Sequence, residues 1–315
     1  MNTEFIKFSI EKNTGIIKLN RPKALNALNY DMVSIFLNTL LQWKDNYKIE
    51  RIILYGEGKS FCAGGDVKNL VLSSNEKNLK EIFFKTEYLL NNTIYEIQKD
   101  YLSIWDGIVM GGGVGLSIYG NYRLVSNNAK FAMPETAIGF FPDVGGSFFL
   151  SKLKKGIGLY LGLTGKVCNA REMIDLGLAT HYAPEEKINR IKEQFIEYGK
   201  LEVSNYYPEM KSDIKDNQNL IEDIFQGSIQ EIFNKLKKSK SDFGKNLYLQ
   251  LLKRCPMSLA VTSKLLNICK SKTLKECLSI EYQLCQFMVY RKDFYNGVSS
   301  ALINKDNNPQ WNPPT

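Results

Sequence analysis

The sequence predicts an α/β layered core followed by a helical C-terminal third. Through its first half, short apolar runs rich in β-branched residues alternate with longer segments of helical periodicity, as strands laid between helices do. From about Pro184 those runs stop, and Lys, Glu, Leu and Ile recur at helical spacing to about Asn304. A third observation sets the scale: 315 residues, 44% of them hydrophobic and 12% aromatic, can bury a substantial core. The division this implies is a core over 1–200 and a helical region over 201–315 packed on it, with no internal repeat.

In order, FIKFSIE and GIIKLN form a hairpin split by Lys12-Asn13-Thr14. Asn29 or Asp31 then caps a helix running to about Lys44, RIILYG is a buried strand, and a helix follows from about Glu76 to Gln98. YLSIW is a strand running straight into the glycine-rich segment 111–115, and short strands near RLVS and KFAM follow. Asn- and Lys-rich patches near 201–220 and 236–245 read as loops.

Composition excludes several classes of function. The six cysteines show no CxxC spacing and His181 is the only histidine, so neither a zinc site nor a disulfide framework is expected, and a reducing compartment fits. Glu4 and Glu11 precede the first arginine, Arg21, so the N-terminal residues do not read as a transit peptide or a secretory signal. The longest uncharged run, Gly107 to Tyr122, is too short and too glycine-rich to span a membrane. The net charge of +8 comes from scattered lysines rather than a dense patch. A solvated surface explains it, with weak attraction for an anionic ligand or nucleic acid as the other reading. The expectation is a soluble intracellular protein with no nucleic-acid or membrane partner.

GGGVG, Gly111 to Gly115, lacks the glycine spacing of a dinucleotide fingerprint, and T-G-K at 164–166 has Tyr160 where a phosphate loop has glycine. What remains for such a run is close approach, by a ligand or by another backbone. A second strand-to-glycine segment, GKSFCAGGDV at 58–67, offers the same. Two such turns could each point one backbone N–H at the same anionic oxygen, the minimum for an oxyanion hole. Cys62 has only Lys59 nearby to activate a thiol, and reads as a small buried hydrophobe. His181, in GLATHYA, reads as a hydrogen-bonded structural residue rather than part of a triad.

That leaves carboxylates. FAMPETAIGFFPDVGG, 131–146, sets Glu135 and Asp143 among aromatic, aliphatic, glycine and proline residues. Apolar surroundings favour the neutral acid and make a glutamate usable as a base near neutral pH. The competing reading is that both acids cap turns, with Asp143 capping a helix that starts at Val144-Gly145.

Together, LNRPKALNAL at 19–28, KSFCAGGDV at 59–67, MGGGVGLS at 110–117 and MPETAIGFFPDVGG at 133–146 resemble the crotonase (enoyl-CoA hydratase/isomerase) superfamily. The last two segments, with TEYLLNN at 86–92, EYQLCQ and DFYNGVSSALINKD, look most like its 3-hydroxyisobutyryl-CoA hydrolase branch. The resemblance covers nearly the whole chain in the family's order. It implies a crotonase-like ββα superhelix for the core, with the CoA and catalytic sites within 1–200.

The resemblance further implies that Ala63 and Gly112 donate the oxyanion-hole N–H groups, and that Glu87, Gly112, Glu135 and Asp143 line the substrate site. Lys23, Ala24 and Leu25, with Ala63, Gly64, Gly65, Asp66 and Val67, correspond to the parts that hold CoA, Lys23 as a phosphate partner. A hydratase of the family carries a second glutamate where this chain has Gly115, so hydration is disfavoured. The hydrolase branch instead pairs Glu135 with an acid eight residues on, which is Asp143. The implied reaction is hydrolysis of a short, branched 3-hydroxyacyl-CoA, as in valine breakdown. Glu135 acts as general base or as nucleophile, and Asp143 takes the 3-hydroxyl. The partner is an acyl-CoA substrate; no metal and no separate cofactor are implied, and a homo-oligomer is left open. The branch's pathway implies a mitochondrial location and the N-terminal composition a cytoplasmic one.

Overall fold

The computed structural model describes residues 3–73, 78–203 and 206–313. Contacts divide the chain into two units. Unit 1 comprises Met1–Asp66, Lys85–Phe131 and Val167–Ser212; unit 2 comprises Val67–Phe84, Ala132–Lys166 and Asp213–Thr315. The sequence divides the chain at 200/201, whereas residues 201–212 belong to unit 1, and unit 2 joins the chain from Asp213 onward with two earlier segments, including the one that carries Glu135 and Asp143.

In unit 1, one sheet runs in the order β1 (Ile6–Glu11), β2 (Thr14–Leu19), β3 (Arg51–Gly56), β5 (Asp100–Trp105), β7 (Tyr122–Val125), β9 (His181–Tyr182). β1 and β2 are antiparallel and pair Glu11 with Thr14, so Thr14 belongs to the strand and the turn is Lys12-Asn13, with Lys12 left-handed at φ 53°. The other neighbours are parallel. Ile52–Leu54 and Tyr101–Trp105 are continuously buried, which is why those strands read as unbroken apolar runs.

Helix α1 (Tyr30–Lys44) starts where the Asn29 side chain accepts from the Met32 N–H, so Asn29 and not Asp31 is the cap. Ile53, Leu102, Ile104 and Leu124 of the sheet pack with Ile188, Ile191 and Phe195 of a helix spanning Glu185–Tyr198. The helix expected from Glu76 spans Leu79–Glu96; its expected start lies outside the described residues.

A second sheet has the order β4 (Ser60–Cys62), β6 (Ile108–Met110), β8 (Lys130–Ala132). β4 and β6, three residues each, are too short to show a period in sequence. β6 therefore intervenes where the strand YLSIW was expected to lead directly into the glycines.

Unit 2 is helical, and several of its helices are bounded by the signals a sequence can show. Ser228 with Glu231, and Thr273 with Glu276, form capping boxes ahead of the helices Ile229–Lys238 and Leu274–Met288. Helix Pro256–Ile268 packs on the helices Gly146–Ser151 and Ile157–Thr164. Helix Lys292–Val298 backs a 3-10 turn, Glu135–Ile138, so closely that a Cβ on Gly297 would overlap the Ile138 backbone. The DFYNGV stretch therefore supports the turn on which Glu135 sits.

Candidate active site

Unit 1 holds the backbone donors. The segments Lys23–Leu25 and Ala63–Asp66 lie together: the Leu28 N–H donates to Gly64 O at 2.8 Å, the Asn26 side chain donates to Ser60 O at 2.7 Å, and Arg21 pairs with Asp66 at 2.6 Å. Lys23 and Leu25 are exposed. Val67 is the first residue of the helix Val67–Leu72 and belongs to unit 2.

One of the two expected oxyanion donors needs correction. The Ala63 N–H is already spent, donating to Leu25 O at 3.0 Å. The bridge between Leu28 and Gly65 uses the Leu28 and Asp66 N–H groups, and no hydrogen bond from the Gly65 N–H is present among the described residues. The Gly65 nitrogen stands 3.2 Å from the point where a Cβ on Gly112 would be. Gly112 opens the short helix Gly112–Gly115, where an N–H has no intrahelical acceptor. The structure therefore brings together Gly65 and Gly112, not Ala63 and Gly112. The close approach read from the glycines is real: a Cβ on Gly113 would meet Cys62 O at 2.5 Å, and one on Gly112 would overlap Glu87 Oε1. Glu87 is buried beside these glycines, while Gly115 is buried and carries no acid.

Cys62 is fully buried and its Sγ–H donates to Asn26 O at 3.2 Å. Burial pushes its thiol up to about 12, a backbone hydrogen bond with Gly64 opposing this and the Glu87 charge adding to it. A thiol in that state is no nucleophile. Cys62→Ala is expected to keep thioester turnover within about threefold and to cost about 1 kcal/mol in stability, roughly the worth of the lost hydrogen bond. Steady-state kinetics beside a denaturant melt check both, and loss of turnover in a folded variant would return Cys62 to the mechanism. His181 is half-buried, its Nδ1 lies 2.9 Å from Thr180 Oγ1, and its ring meets Tyr122 edge-on. Burial, and then the Arg123 charge, push its pKa down.

Unit 2 holds the acids. Glu135 and Asp143 are 6% and 5% exposed. Glu135 opens the 3-10 turn, its carbonyl accepting from the Phe140 N–H at 3.0 Å. The turn is pinned where the Thr136 hydroxyl donates to Leu163 O at 3.0 Å and the Cys255 N–H donates to Thr136 O at 3.1 Å. Phe140 packs against Phe84, Phe141 and Phe294.

Asp143 does not cap a helix, contrary to that alternative. The next helix begins at Gly146, and its cap position is Gly145, not Asp143. Instead the Gly146 N–H donates to Asp143 O at 2.7 Å, closing a turn whose two central residues, Val144 and Gly145, are both left-handed, at φ 52° and 79°. That is the type I′ pattern, and a β-branched residue is strained in it.

Sequence reasoning missed a buried acid that holds this turn. Glu281, the first residue of EYQLCQ, accepts from the Gly145 N–H at 2.7 Å, the Ser147 N–H at 3.0 Å and the Ser147 hydroxyl at 2.5 Å. The signal was present: Cys277, Glu281 and Cys285 share one buried helical stripe, and a carboxylate there must have partners.

Burial pushes the Glu281 carboxyl up to about 8; its bonds to Ser147 and Gly145 oppose the shift and the Asp143 charge adds to it. On the same helix, burial pushes the Cys277 thiol up to about 12, with Cys269 and then the Glu281 charge adding to the shift and a hydrogen bond with Ser147 opposing it. The folded chain thus holds the Glu281 proton more tightly than the unfolded chain. The resulting stability is complete below about 4.5 and is lost as the pH climbs through about 8. Melting temperatures across that window are expected to fall more steeply for the wild type than for Glu281→Gln, and equal slopes would mean that Glu281 is not the source.

The family profile for enoyl-CoA hydratase/isomerase matches residues 14–315. The 3-hydroxyisobutyryl-CoA hydrolase, mitochondrial, of Danio rerio is 38% identical to this chain, over 96% of the chain and 83% of that protein. Its Homo sapiens counterpart is 39% identical, over 95% and 82%. Among solved structures, an enoyl-CoA hydratase from Rhodobacter sphaeroides superposes with a TM-score of 0.92 at 30% identity, covering 98% of this chain and 92% of that one. A carnitinyl-CoA dehydratase from Mycobacterium thermoresistibile superposes with a TM-score of 0.91 at 32% identity, covering 99% and 92%.

Proposed function

The chain belongs to the enoyl-CoA hydratase/isomerase family, and from that premise we propose that it is a thioester hydrolase that cleaves 3-hydroxyisobutyryl-CoA into CoA and the hydroxy acid. The observation that carries the reading is the acid pattern: Glu135 and Asp143 are buried eight residues apart, while Gly115 stands where a hydratase needs its second glutamate. Relatives that are 38–39% identical over nearly the full length bear the same activity in their names.

The chemistry asks for two things. One is stabilisation of the negative charge that develops on the thioester oxygen, which the N–H groups of Gly65 and Gly112 supply in this reading. The other is a carboxylate to deliver the oxygen nucleophile, which is Glu135. As a general base it takes a proton from water while the water oxygen bonds to the carbonyl carbon. The C–S bond then breaks, and the proton passes to the departing sulfur, giving free CoA thiol. Direct attack by Glu135 gives an acyl anhydride that water opens to the same products. Asp143 accepts a hydrogen bond from the 3-hydroxyl, Glu87 lines the acyl site, and Lys23, Ala24, Leu25 and residues 63–67 hold the CoA moiety. CoA is part of the substrate, so the reaction calls for no separate cofactor. Since the relatives are named mitochondrial, we assign the same compartment, which fractionation of the native cells checks.

Following free thiol with 3-hydroxyisobutyryl-CoA, and the double bond with crotonyl-CoA, tests the assignment. Thiol from the first and no change in the second is the expected pair. Consumption of the double bond without thiol release would make the chain a hydratase, as the Rhodobacter sphaeroides relative is named.

A further inference from the structure

We infer that Glu281 is a positioning residue: its carboxyl group locks the turn Asp143–Gly146 so that the Asp143 side chain meets the 3-hydroxyl of the substrate. The inference rests on the reading of Asp143 as the hydroxyl's partner.

The turn cannot hold itself. Val144 is left-handed at φ 52°, a conformation costly for a β-branched residue, and such strain persists only where the surroundings over-determine it. Across the turn the Gly146 N–H donates to Asp143 O. Glu281 adds three from the other side, one oxygen taking the Gly145 N–H and the other taking both the N–H and the hydroxyl of Ser147. Gly145 and Ser147 follow Asp143 by two and four residues, so these bonds fix the backbone that sets the direction of its side chain. Glu281 and Ser147 are 0% exposed, so water cannot replace a lost partner.

A carboxyl group is also the group that fits. Two backbone N–H groups point at its two oxygens, and glutamine offers an acceptor to only one of them. Protonation leaves the arrangement intact, because the acid can donate to the Ser147 oxygen while its other lone pairs still accept. The raised pKa of Glu281, with the Asp143 charge among its causes, accords with the two acids being neighbours.

The test compares 3-hydroxyisobutyryl-CoA with isobutyryl-CoA, the same skeleton without the hydroxyl, as substrate or as competitive inhibitor. The ratio of kcat/KM or of affinity between the two measures what the hydroxyl contributes. Glu281→Gln is expected to lower that ratio about tenfold, as loss of one buried hydrogen bond's worth of positioning would, mainly through KM for the hydroxylated substrate. Ser147→Ala, which removes only the hydroxyl bond and spares both backbone bonds, is expected to lower it in the same direction by less, and it serves if Glu281→Gln does not fold. Asp143→Ala is the reference and is expected to abolish the preference. An unchanged ratio in Glu281→Gln or, failing that variant, in Ser147→Ala, with Asp143→Ala discriminating, overturns the positioning role alone. An unchanged ratio in Asp143→Ala overturns the reading of Asp143, and the inference with it.

Discussion

Glu135→Gln is expected to reduce thiol release from 3-hydroxyisobutyryl-CoA by about 10²–10⁴-fold, the range a positioned general base supplies. The turn that carries the residue should survive. Its bonds run through the Glu135 carbonyl, the Thr136 hydroxyl and carbonyl, and the Gly297 contact, and glutamine alters none of them. The variant should therefore melt near the wild type and bind CoA with nearly unchanged affinity by calorimetry, isolating the chemistry from binding and folding. Either route, water activation or direct attack, needs the carboxylate and stops at glutamine. Turnover at the wild-type rate would refute the assignment of Glu135.

Gly112→Ala should be the next most damaging change. Its methyl would overlap Glu87 Oε1 and approach the Gly65 nitrogen to 3.2 Å and Leu28 Cδ1 to 3.3 Å, so it intrudes beside both proposed donors. Loss of one oxyanion donor typically lowers kcat by about 10²–10³-fold. Overpacking costs about 1–3 kcal/mol of stability, which would leave a folded protein to assay. The expected signature is a large fall in kcat/KM from a variant that still unfolds cooperatively. A folded Gly112→Ala within about threefold of wild-type kcat/KM would count against Gly112 in the oxyanion hole, since a methyl wedged beside the donors would then leave their chemistry undisturbed.

Much of this architecture was legible because its causes are local. Asn29 before an amphipathic run, Ser228 and Thr273 each three residues ahead of a glutamate, and the unbroken apolar run RIILYG mark their own elements. The acids were legible for a related reason: a carboxylate among Phe140, Phe141 and Pro142 is costly enough to demand an explanation. β4 and β6 were not legible, since three residues carry no period.

The donors show where such reading ends. Four consecutive residues, Ala63 to Asp66, each carry an N–H, and nothing in their side chains says which are left over. Leu25 O takes that of Ala63 and Leu28 O takes that of Asp66, and only the arrival of that distant segment leaves Gly65 beside Gly112. Glu281 is a similar case: the spacing of its helix puts it on the buried stripe, but its partners, Gly145 and Ser147, lie in a segment far away along the chain. From residue order alone come the fold class, the caps, the motifs and the kinds of group available for chemistry, all set by period and polarity within a few residues. Which backbone groups remain free, and which buried acid supports which, follows from hydrogen bonds between segments remote in sequence, and those exist only once the chain has folded.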